Sequence, residues 1–598
     1  MNPIELSQLE TEICKELQCT KLLAKFLCTR GFSSVDQVKE FLDISIKKIP
    51  NPFEIFDMKK AVNRVRDAIL QNEPILIYGD YDVDGTCGAA VLFDFLSQIG
   101  VTPKVFQPNR FTHGYGVHVE PIDQFCREGV KVIVTVDCGI TSVQPALVAK
   151  EHGVDFIVVD HHKVGAELPK AFAIVDPQRI EDKSGLKNLC GAGLAFFFVI
   201  GLRASLRDAG FFENRKEPNL FSLLDLVAVA SVADMVDLRG VNRILVSYGL
   251  NVLRQKPRVG FKALLDVAQT KRVSTVEIGF VLGPRINAAG RLESASAAFD
   301  LVSCQDYSKV FSLAENLNEL NKKRKETQEE TVEMALEQAQ LELLDRSVFW
   351  KEGFWKKLSD QIPSAQFGPW PRILVLSPED DQDWHEGVVG IVASRIMNEL
   401  NLPVVVLSNK QTDKGLLLKG SIRSLPKIDI IEAIQQCAKE YPGLLENFGG
   451  HAHAGGVSLK KENLLRFVEA INKVLAIRCT SEHYQKENRF DLEIDMKDLS
   501  AFVSQRFLGE LEALEPFGMG FPEPVFKIRN PVFSDARYLK EKHLKFKLGG
   551  VDAIWFSAAE KFSDQNPPTD IWVTPQKNEW NGTKRLQFQV LFGLSENQ

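Results

Sequence analysis

The sequence lacks several features that would place it in a specialised class. Its ten cysteines form no Cys-x-x-Cys pair, which indicates reduced and buried thiols. The longest apolar run, residues 189–202, is too short to cross a bilayer and contains three glycines, so it predicts a buried helix. No charged-then-apolar leader opens the chain. We therefore expect a cytoplasmic protein with no membrane partner.

The sequence also has no excess of positive charge. Its formal net charge of −7 argues against a uniformly basic nucleic-acid binder, although it leaves local basic patches open. Hydrophobic residues make up 44% and charged residues 25% of the chain, as in ordinary globular proteins. At roughly 150 residues per domain, its length predicts three or four domains.

The first half of the chain alternates predicted strands with predicted helices. Residues 1–50 are expected to be helical, and an α/β domain is expected to follow over 51–305. Its predicted strands are Ile75–Tyr78, Pro103–Phe106, Val130–Val136 and Phe156–Val159, and its predicted helices include Met58–Leu70, Thr86–Ile99 and Val143–Glu151. This alternation predicts a doubly wound parallel sheet, which the apolar segments 192–206 and 220–233 would complete.

The second half has a different pattern. Residues 306–345 contain no proline or glycine and predict a long connector helix. A second α/β domain is expected over 346–480, with strands Ile373–Leu376 and Val404–Leu407. It begins with an aromatic-rich insertion, 351–371, predicted to be irregular, which either forms a docking surface or covers the edge of a core. Short strands over 481–598 predict a small β-barrel.

Acidic residues follow the apolar runs of the first α/β domain. Asp80, Asp82 and Asp84 lie within five residues and would repel one another without a cation among them. Asp137, the triplet Asp160-His161-His162 and Asp234 each follow a further apolar run, which we interpret as a strand. The carboxyl ends of parallel strands meet at one sheet edge, so these side chains are expected to converge.

The combination of carboxylate and imidazole suits manganese or magnesium. Two such ions activate water for an in-line displacement at phosphorus. Taken singly, one of these acids is as readily explained as a helix N-cap, and one Asp-His pair as a satisfied surface pair.

Three other groups suit a nucleic-acid strand. Arg285, Asn287 and Arg291 lie in a glycine-rich segment and suit phosphate, or else form a buried ion pair. Asn109, Arg110 and Tyr115 follow a predicted strand, where the tyrosine either stacks a base or is half-buried. The barrel carries a lysine-rich stretch with Phe533, Tyr538 and Phe546, which predicts a strand-binding groove or else a solvated face over core aromatics; its lysines include Lys540, Lys542, Lys545 and Lys547.

An ordered series of motifs carries a family resemblance. It includes GDYDVDG at 79–85, TVDCGI at 135–140, VDHH at 159–162, ADMVDLRGVNR at 233–243, GPRINAAGR at 283–291, GSIRS at 420–424, GGHAHAGG at 449–456 and LEPFGMGFPEP at 514–524. The series resembles the DHH phosphoesterase superfamily and, over nearly the whole chain, its bacterial single-strand-specific 5′→3′ DNA exonucleases. The barrel resembles an OB-fold.

The resemblance implies roles for individual residues. It implies that the metal ligands are Asp82, Asp84, Asp137, His161 and Asp234, with Asp137 as the bridge. His162 would contact the phosphate or support a ligand, and Asp80 would orient the ligands or help to hold the first ion. Ser421, Arg423, Gly450 and His451 resemble the substrate-binding face of a DHH-associated domain.

The function implied is two-metal hydrolysis of single-stranded DNA to 5′-mononucleotides, with Mn²⁺ or Mg²⁺, in recombination and repair. A single-strand-binding protein and a helicase are expected partners of a monomeric enzyme. Two alternatives remain. A phosphodiesterase of short oligonucleotides, cyclic dinucleotides or pyrophosphate would not need the C-terminal barrel, and a non-catalytic DNA-binding scaffold would not keep all five ligands.

Overall fold

The structure is a computed structural model of the chain. It describes residues 3–109, 114–255, 257–270, 272–292, 296–346, 350–360, 370–379, 382–412, 415–499, 505–558, 567–580 and 583–594. The chain forms two compact units. The first contains residues 1–290, 294–315 and 488–598, and the second contains 291–293 and 316–487.

The first unit opens with three helices and a parallel α/β layer. The three helices are α1 (Pro3–Leu17), α2 (Lys21–Thr29) and α3 (Val35–Leu42). The strands β1 (Ile75–Gly79), β2 (Lys104–Phe106), β3 (Val132–Val136), β4 (Asp155–Val159) and β5 (Ala173–Val175) pair in parallel in the order β2-β1-β3-β4-β5. The helices between them are α4 (Met58–Leu70), α5 (Val83–Gln98), α6 (Val119–Arg127) and α7 (Val143–Glu151). The predicted parallel sheet is confirmed.

Helices complete this layer. They are α8 (Gly191–Asp208), α9 (Leu224–Ala233), α10 (Gly240–Gln255), α11 (Val259–Val267), α12 (Thr275–Glu277), α13 (Gly283–Leu292) and α14 (Ser296–Ser303). The prediction that Asp234 follows a strand is wrong, because residues 224–233 form α9, which packs against α5, α8 and α10. A segment buried on all sides has no polar alternation, so hydrophobic period cannot distinguish strand from helix there.

The second unit is built on a mixed sheet. It follows α15 (Tyr307–Leu343), within which the boundary between the units falls. The further elements are α16 (Phe354–Asp360), β6 (Leu374–Leu376), α17 (Val389–Leu400), β7 (Val404–Thr412), β8 (Gly415–Arg423), α18 (Ile430–Glu440), β9 (Asn447–His451), β10 (Ala454–Lys460) and α19 (Leu464–Arg478). The strand order is β6-β7-β8-β10-β9, and the β6–β7 pair is parallel.

The aromatic insertion at the start of this unit is partly helical, contrary to its predicted irregular structure. Trp355 of α16 is buried in the core of the unit, and Trp350, Phe354 and Trp370 pack against that core. The insertion therefore covers a core rather than presenting these side chains as a docking surface. Phe367 lies outside the described residues.

The C-terminal part of the chain returns to the first unit as a seven-stranded sheet. Its elements are β11 (Leu492–Asp495), α20 (Gln505–Ala513), β12 (Phe526–Arg529), β13 (Ser534–Leu539), β14 (His543–Leu548), β15 (Val551–Trp555), β16 (Asp570–Trp580) and β17 (Thr583–Leu594). The order is β11-β12-β16-β17-β15-β14-β13. Its core is continuous with α1–α3, since Phe26 and Leu27 share one buried cluster with Phe526 and Phe588. The sequence did not reveal this shared core.

The cysteine and membrane predictions can be checked against the same structure. All ten cysteines are free thiols, and seven of them are buried. Within the described ranges, no helix is both long and apolar enough to span a membrane.

Candidate metal centre

The acid-rich turn joins β1 to α5. The Asp82 carboxylate caps the helix, since its Oδ1 accepts from the backbone N–H groups of Asp84 at 2.9 Å and Gly85 at 3.0 Å. Gly85 permits the tight fold of the turn, because a Cβ there would lie 2.5 Å from the backbone oxygen of Asp80. The capping role and a metal role are compatible, since both capping hydrogen bonds use the same carboxylate oxygen of Asp82.

Asp84 is fixed by the amino terminus of α8. Its two oxygens accept from the N–H groups of Gly191 at 2.6 Å and Ala192 at 2.7 Å. The positive end of the helix dipole thus faces a carboxylate that is 2% exposed. Gly191 also allows Asp137 to lie against the start of α8, because a Cβ on Gly191 would lie 2.6 Å from Cβ of Asp137.

Asp137 lies immediately after β3, in the sheet position between the turn and the Asp-His-His triplet. Its φ of 61° is in the left-handed region, which is uncommon for a residue other than glycine and is typical of functional sites. Its Oδ1 lies 3.0 Å from Nε2 of His161. The strained backbone therefore turns this carboxylate towards its neighbours at the sheet edge.

Asp160 organises the two histidines, a role that the sequence analysis did not assign. Its Oδ1 accepts from the N–H groups of His161 and His162 and lies 2.7 Å from Nδ1 of His162, and its Oδ2 accepts from Ile140 N–H. The sequence signal for this role was the position of Asp160 as the first residue after β4. The buried carboxylate fixes the backbone of both histidines and the ring of the second.

The structure brings the predicted ligands together. Three sets of ligand atoms each lie within 4.8 Å of one another: Asp80, Asp82 and Asp137; Asp137, His161 and His162; and Asp84, His161 and Asp234. Asp137 and His161 each belong to two of these sets. A shared carboxylate between two sets is the arrangement that a pair of bridged ions requires.

The electrostatics of the cluster favour bound cations. Burial and the neighbouring charge of Asp84 raise the pKa of Asp82 and, together with Asp82 and Asp80, the pKa of Asp137. Burial and the charges of Asp84 and Asp82 also raise the pKa of Asp234, to about 8. Carboxylates that resist ionisation because they are crowded gain most from a divalent ion among them, so this donor set fits Mn²⁺ or Mg²⁺.

His162 and Tyr115 extend the cluster towards solvent. Burial lowers the pKa of His162, but its hydrogen bond to Asp160 and the nearby carboxylate charges outweigh burial and raise that pKa to about 9. The Tyr115 hydroxyl lies 3.2 Å from the His162 ring nitrogens, while the residue is 52% exposed. Asn109 is partly buried, and Arg110 lies outside the described residues.

The predicted glycine-rich phosphate segment forms helix α13. Arg285 donates to the Val281 backbone oxygen at 2.9 Å, one helical turn earlier, and Asn287 is partly buried on the same helix. Gly290 allows α13 to contact the acid-rich turn, since a Cβ there would lie 3.0 Å from the Tyr81 oxygen. The side chain of Arg291 lies outside the described residues.

In the second unit, the predicted substrate residues share one sheet. Arg423 of β8 and His451 of β9 both pair with Ala454 of β10, and Ser421 lies two residues before Arg423 on the same face of the sheet. A Cβ on Gly390 of α17 would lie 3.2 Å from Oγ of Ser421, so the helix approaches this face closely. The Arg423 guanidinium donates to Ser394 Oγ at 3.0 Å.

Gly449 and Gly456 lie in register with Ser421 and leave the Arg423 face sparsely covered, whereas Gly450 lies in register with Ile422 on the opposite face. Gly450 has a φ of 141°, and a Cβ there would lie 2.4 Å from the Ala454 oxygen, so no other residue fits the strand. Burial lowers the pKa of Arg423, whose guanidinium nevertheless supplies positive charge beside the bare backbone. Such a face suits an anionic ligand.

The lysine-rich stretch forms the β13–β14 hairpin. Lys540 and Lys542 are exposed near its tip, Lys545 is partly buried on β14, and Lys547 pairs with Asp535 at 2.8 Å. Of the predicted stacking aromatics, Phe546 is 1% exposed and Phe533 packs against it in the core, whereas Tyr538 is 46% exposed. Phe546 therefore belongs to the core, because alternate residues of β14 face it, and this agrees with the alternative prediction of core aromatics under a solvated face. Phe533 is partly buried and packs against Phe546.

Three family descriptions match this chain. The DHH family N-terminal domain matches residues 74–231, the DHHA1 domain matches 372–476, and the RecJ OB domain matches 490–591. The first match contains the acid-rich turn, Asp137 and the Asp-His-His triplet. The second contains Arg423 and His451, and the third contains the lysine-rich hairpin.

Relatives that match nearly the full length of the chain are RecJ exonucleases. The single-stranded-DNA-specific exonuclease RecJ of Escherichia coli is 33% identical over 98% of each chain, and that of Dickeya dadantii is 35% identical over 97% of each. The crystal structure of Thermus thermophilus RecJ in complex with Mn²⁺ superposes with a TM-score of 0.75 at 29% identity, covering 99% of this chain and 78% of that one. The two sequence relatives and the Thermus structure each match nearly the whole length of the present chain.

Proposed function

Because this chain belongs to the RecJ family of single-stranded-DNA-specific exonucleases, we propose that it hydrolyses single-stranded DNA from the 5′ end at the acid–histidine cluster of its parallel sheet. The enzyme uses divalent metal, as the Mn²⁺- and Mg²⁺-bound structures of its relative support. The finer parts of the proposal are its polarity, the number of ions and the residues that hold them.

One observation carries the assignment of the site. The pKa values of Asp82, Asp137 and Asp234 are all raised by burial and by neighbouring carboxylates at the carboxyl end of the sheet. No lysine or arginine is within ion-pair distance of these three carboxylates in the described part of the chain, so bound cations are the groups that would balance the charge. A protein-only role in stability would not maintain such crowding.

The proposed role of each residue follows from its position in the cluster. Asp82, Asp84, Asp137, His161 and Asp234 would hold two ions, with Asp137 contributing to both and Asp80 supporting the first. When bound, the ions would activate a water molecule and stabilise charge on the scissile phosphate. Asp160 accepts hydrogen bonds that position the two histidines, and the ring of His162 would donate to a phosphate oxygen.

The remaining residues would bind the strand. Tyr115 offers an exposed ring beside His162, on which the terminal base would stack. Arg285, Asn287 and Arg291 of α13, together with Asn109 and Arg110, would contact phosphates near the cluster. Ser421, Arg423, Gly450 and His451 would bind further phosphates, and Lys540, Lys542, Lys545 and Lys547 would attract the strand to the C-terminal domain.

The cellular setting is part of the proposal. We infer a monomeric cytoplasmic enzyme that acts in DNA recombination and repair with a single-strand-binding protein and a helicase. The domain boundaries at residues 50, 305, 345 and 480 remain predictions.

End-labelled strands test the reaction. The wild-type protein should release labelled mononucleotide at once from 5′-labelled single-stranded DNA in Mn²⁺, release it late from 3′-labelled DNA, and release nothing in chelator. Blunt duplex should remain intact. Early release from the 3′ label would refute the polarity, and cleavage confined to di- to tetranucleotides would favour a small-substrate phosphodiesterase instead.

A further inference from the structure

Asp234 differs from the other proposed ligands in how its side chain is held. Asp82 and Asp84 accept backbone N–H donors, and Asp137 contacts His161 at 3.0 Å. Among the described residues, the Asp234 carboxylate accepts no hydrogen bond, and Nε2 of His161 lies 3.9 Å away. Its side chain is also 29% exposed. The position of this ligand therefore depends on the backbone that carries it.

That backbone is anchored at two ends. On one side, the N–H groups of Met235 and Val236 close the end of α9 by donating to Val232 and Ser231, and Met235 takes a left-handed φ of 57°. On the other side, the Leu238 N–H donates to the Met519 oxygen at 2.9 Å. The second anchor belongs to the C-terminal domain, which also contains the lysine-rich hairpin.

The turn that provides this anchor, Phe517–Phe521, packs closely against residues 234–238, which we call the Asp234 segment. A Cβ on Gly518 would lie 2.5 Å from Cδ1 of Leu238. A Cβ on Gly520, whose φ is 75°, would lie 2.0 Å from Oδ1 of Asp237. Any side chain at Gly520 must therefore displace the carboxylate of Asp237, the residue three positions after the ligand.

The side chain of Asn242 on α10 links the Asp234 segment to the loop that precedes α8. Its Nδ2 donates to the Asp237 oxygen at 3.0 Å and to the Asn188 oxygen at 2.6 Å. Asn188 lies shortly before the amino terminus of α8, which holds Asp84. Asn242 is 3% exposed, so both hydrogen bonds are protected from water.

Arg243, the next residue, fastens the same helix to the C-terminal domain. Its guanidinium donates to the backbone oxygens of Leu514, Glu515 and Pro516 and stacks on Phe41 at 4.0 Å. The residue is 2% exposed. One short stretch of α10 thus binds the Asp234 segment, the loop before α8 and the C-terminal domain.

We propose that the Phe517–Phe521 turn and Asn242 are positioning elements of the metal centre, which fix Asp234 through its backbone. This inference rests on the proposed role of Asp234 as a ligand. The C-terminal domain would then contribute to the affinity for metal as well as to binding of the strand.

Gly520→Ala tests the proposal, with Gly550→Ala as its matched control. Gly550 has a φ of 85° and nothing within 4 Å of a built Cβ, so its substitution adds the same backbone strain without a clash. Calorimetric titration with Mn²⁺ should show affinity at the Asp234 site lowered about tenfold or more in Gly520→Ala, the scale typical of residues that support a ligand. Gly550→Ala should bind Mn²⁺ like the wild type.

Asn242→Ala provides a second test in case Gly520→Ala does not fold. Its control is Asn251→Ala, an exposed position on the same helix. Asn242→Ala should also weaken Mn²⁺ binding, with strand affinity in chelator unchanged. Wild-type Mn²⁺ binding in a folded Gly520→Ala or Asn242→Ala protein would overturn the proposal while leaving the exonuclease intact. A wild-type protein that binds Mn²⁺ but cleaves no strand would refute the proposed function instead.

Discussion

At the residue scale, the metal centre is held by donors that lie outside the ligand set. Asp84 depends on the N–H groups of Gly191 and Ala192, and His162 depends on the carboxylate of Asp160. Such supporting contacts orient the ligands before any ion binds, which lowers the cost of assembling the site. Substitution of a supporting residue is therefore expected to affect metal affinity, whereas substitution of a strand-binding residue is expected to affect KM.

Tyr115 separates these two effects. Tyr115→Ala removes the exposed ring and should raise KM for single-stranded DNA about 5- to 150-fold, because stacking of one base contributes about 1–3 kcal/mol. Tyr115→Phe keeps the ring and loses only the hydroxyl contact with His162, so its KM should stay close to that of the wild type. Steady-state kinetics in Mn²⁺ measures both.

Tyr307→Ala is the control for this prediction, since Tyr307 is an exposed tyrosine whose hydroxyl donates to Asp266. An unchanged KM in Tyr115→Ala would show that the ring does not receive a base.

Asp176 gives a stability prediction with a defined pH dependence. Burial raises the pKa of this fully buried carboxyl to about 7. The folded state therefore favours the neutral carboxyl. Below about pH 4 the carboxyl is neutral in the unfolded state as well, and its contribution to the stability of the folded state is greatest. This contribution is lost as the pH rises through 7, because the unfolded carboxyl ionises first. Asparagine stays neutral, so Asp176→Asn should add on the order of 1–3 kcal/mol to stability at pH 8 and almost nothing at pH 4.

Thermal unfolding of both proteins at pH 4, 6 and 8 measures this difference. Asp208→Asn, at an exposed position of α8, should show no such trend. A stability difference for Asp176→Asn that does not change with pH would contradict the burial argument.

At the element scale, the sequence predicted the parallel strands better than the segments after them. β1, β3 and β4 are short apolar runs ending in acids, and a parallel arrangement necessarily brings those ends together. Asp82, Asp137 and His161 could therefore be predicted as neighbours. The same reasoning failed for α9, because a buried helix of ten residues has the composition of a buried strand.

Helix α13 illustrates a second limit. Gly283 and Gly290 marked the segment as glycine-rich without indicating its helix, and a Cβ on Gly290 inside that helix would lie 3.0 Å from the Tyr81 oxygen. A glycine that permits close packing and a glycine that permits a turn cannot be distinguished by composition. The hairpin β13–β14 shows a third limit, because the lysine-rich composition did not reveal that alternate residues of β14, Phe546 among them, face the core.

The hairpin allows a test of strand binding. Replacing Lys540, Lys542 and Lys545 with glutamine should reduce affinity for single-stranded DNA and lower the slope of log K against log salt by about 2, since each lost phosphate contact lowers it by about 0.7. Fluorescence anisotropy in chelator over a range of salt concentrations measures the slope without hydrolysis.

Lys547→Gln is the comparison, because Lys547 already pairs with Asp535. Its effect should be smaller than that of any lysine in the triple variant. An unchanged salt slope in the triple variant would exclude the hairpin as part of the strand-binding surface.

At the scale of the whole molecule, the two ends of the chain form one core. Phe26 and Val38 pack with Phe526 and Phe588, and Arg30 pairs with Asp491. Contacts between residues so far apart in sequence leave no local pattern, so the sequence predicted the N-terminal helices and the C-terminal barrel but not their union. This union means that deleting the C-terminal domain would expose a core, and point substitutions are the better probes of its role.

The central claim is that the acid–histidine cluster hydrolyses single-stranded DNA with Asp137 at its centre. The most direct measurement is the initial rate at which wild type and Asp137→Asn release mononucleotide from 5′-labelled single strands in Mn²⁺, with strand binding measured on the same preparations. Asparagine tolerates the left-handed backbone at this position. The rate should fall by on the order of 10³-fold or more, equivalent to about 4 kcal/mol of lost transition-state stabilisation, with strand affinity largely kept. A rate close to that of the wild type would contradict the account.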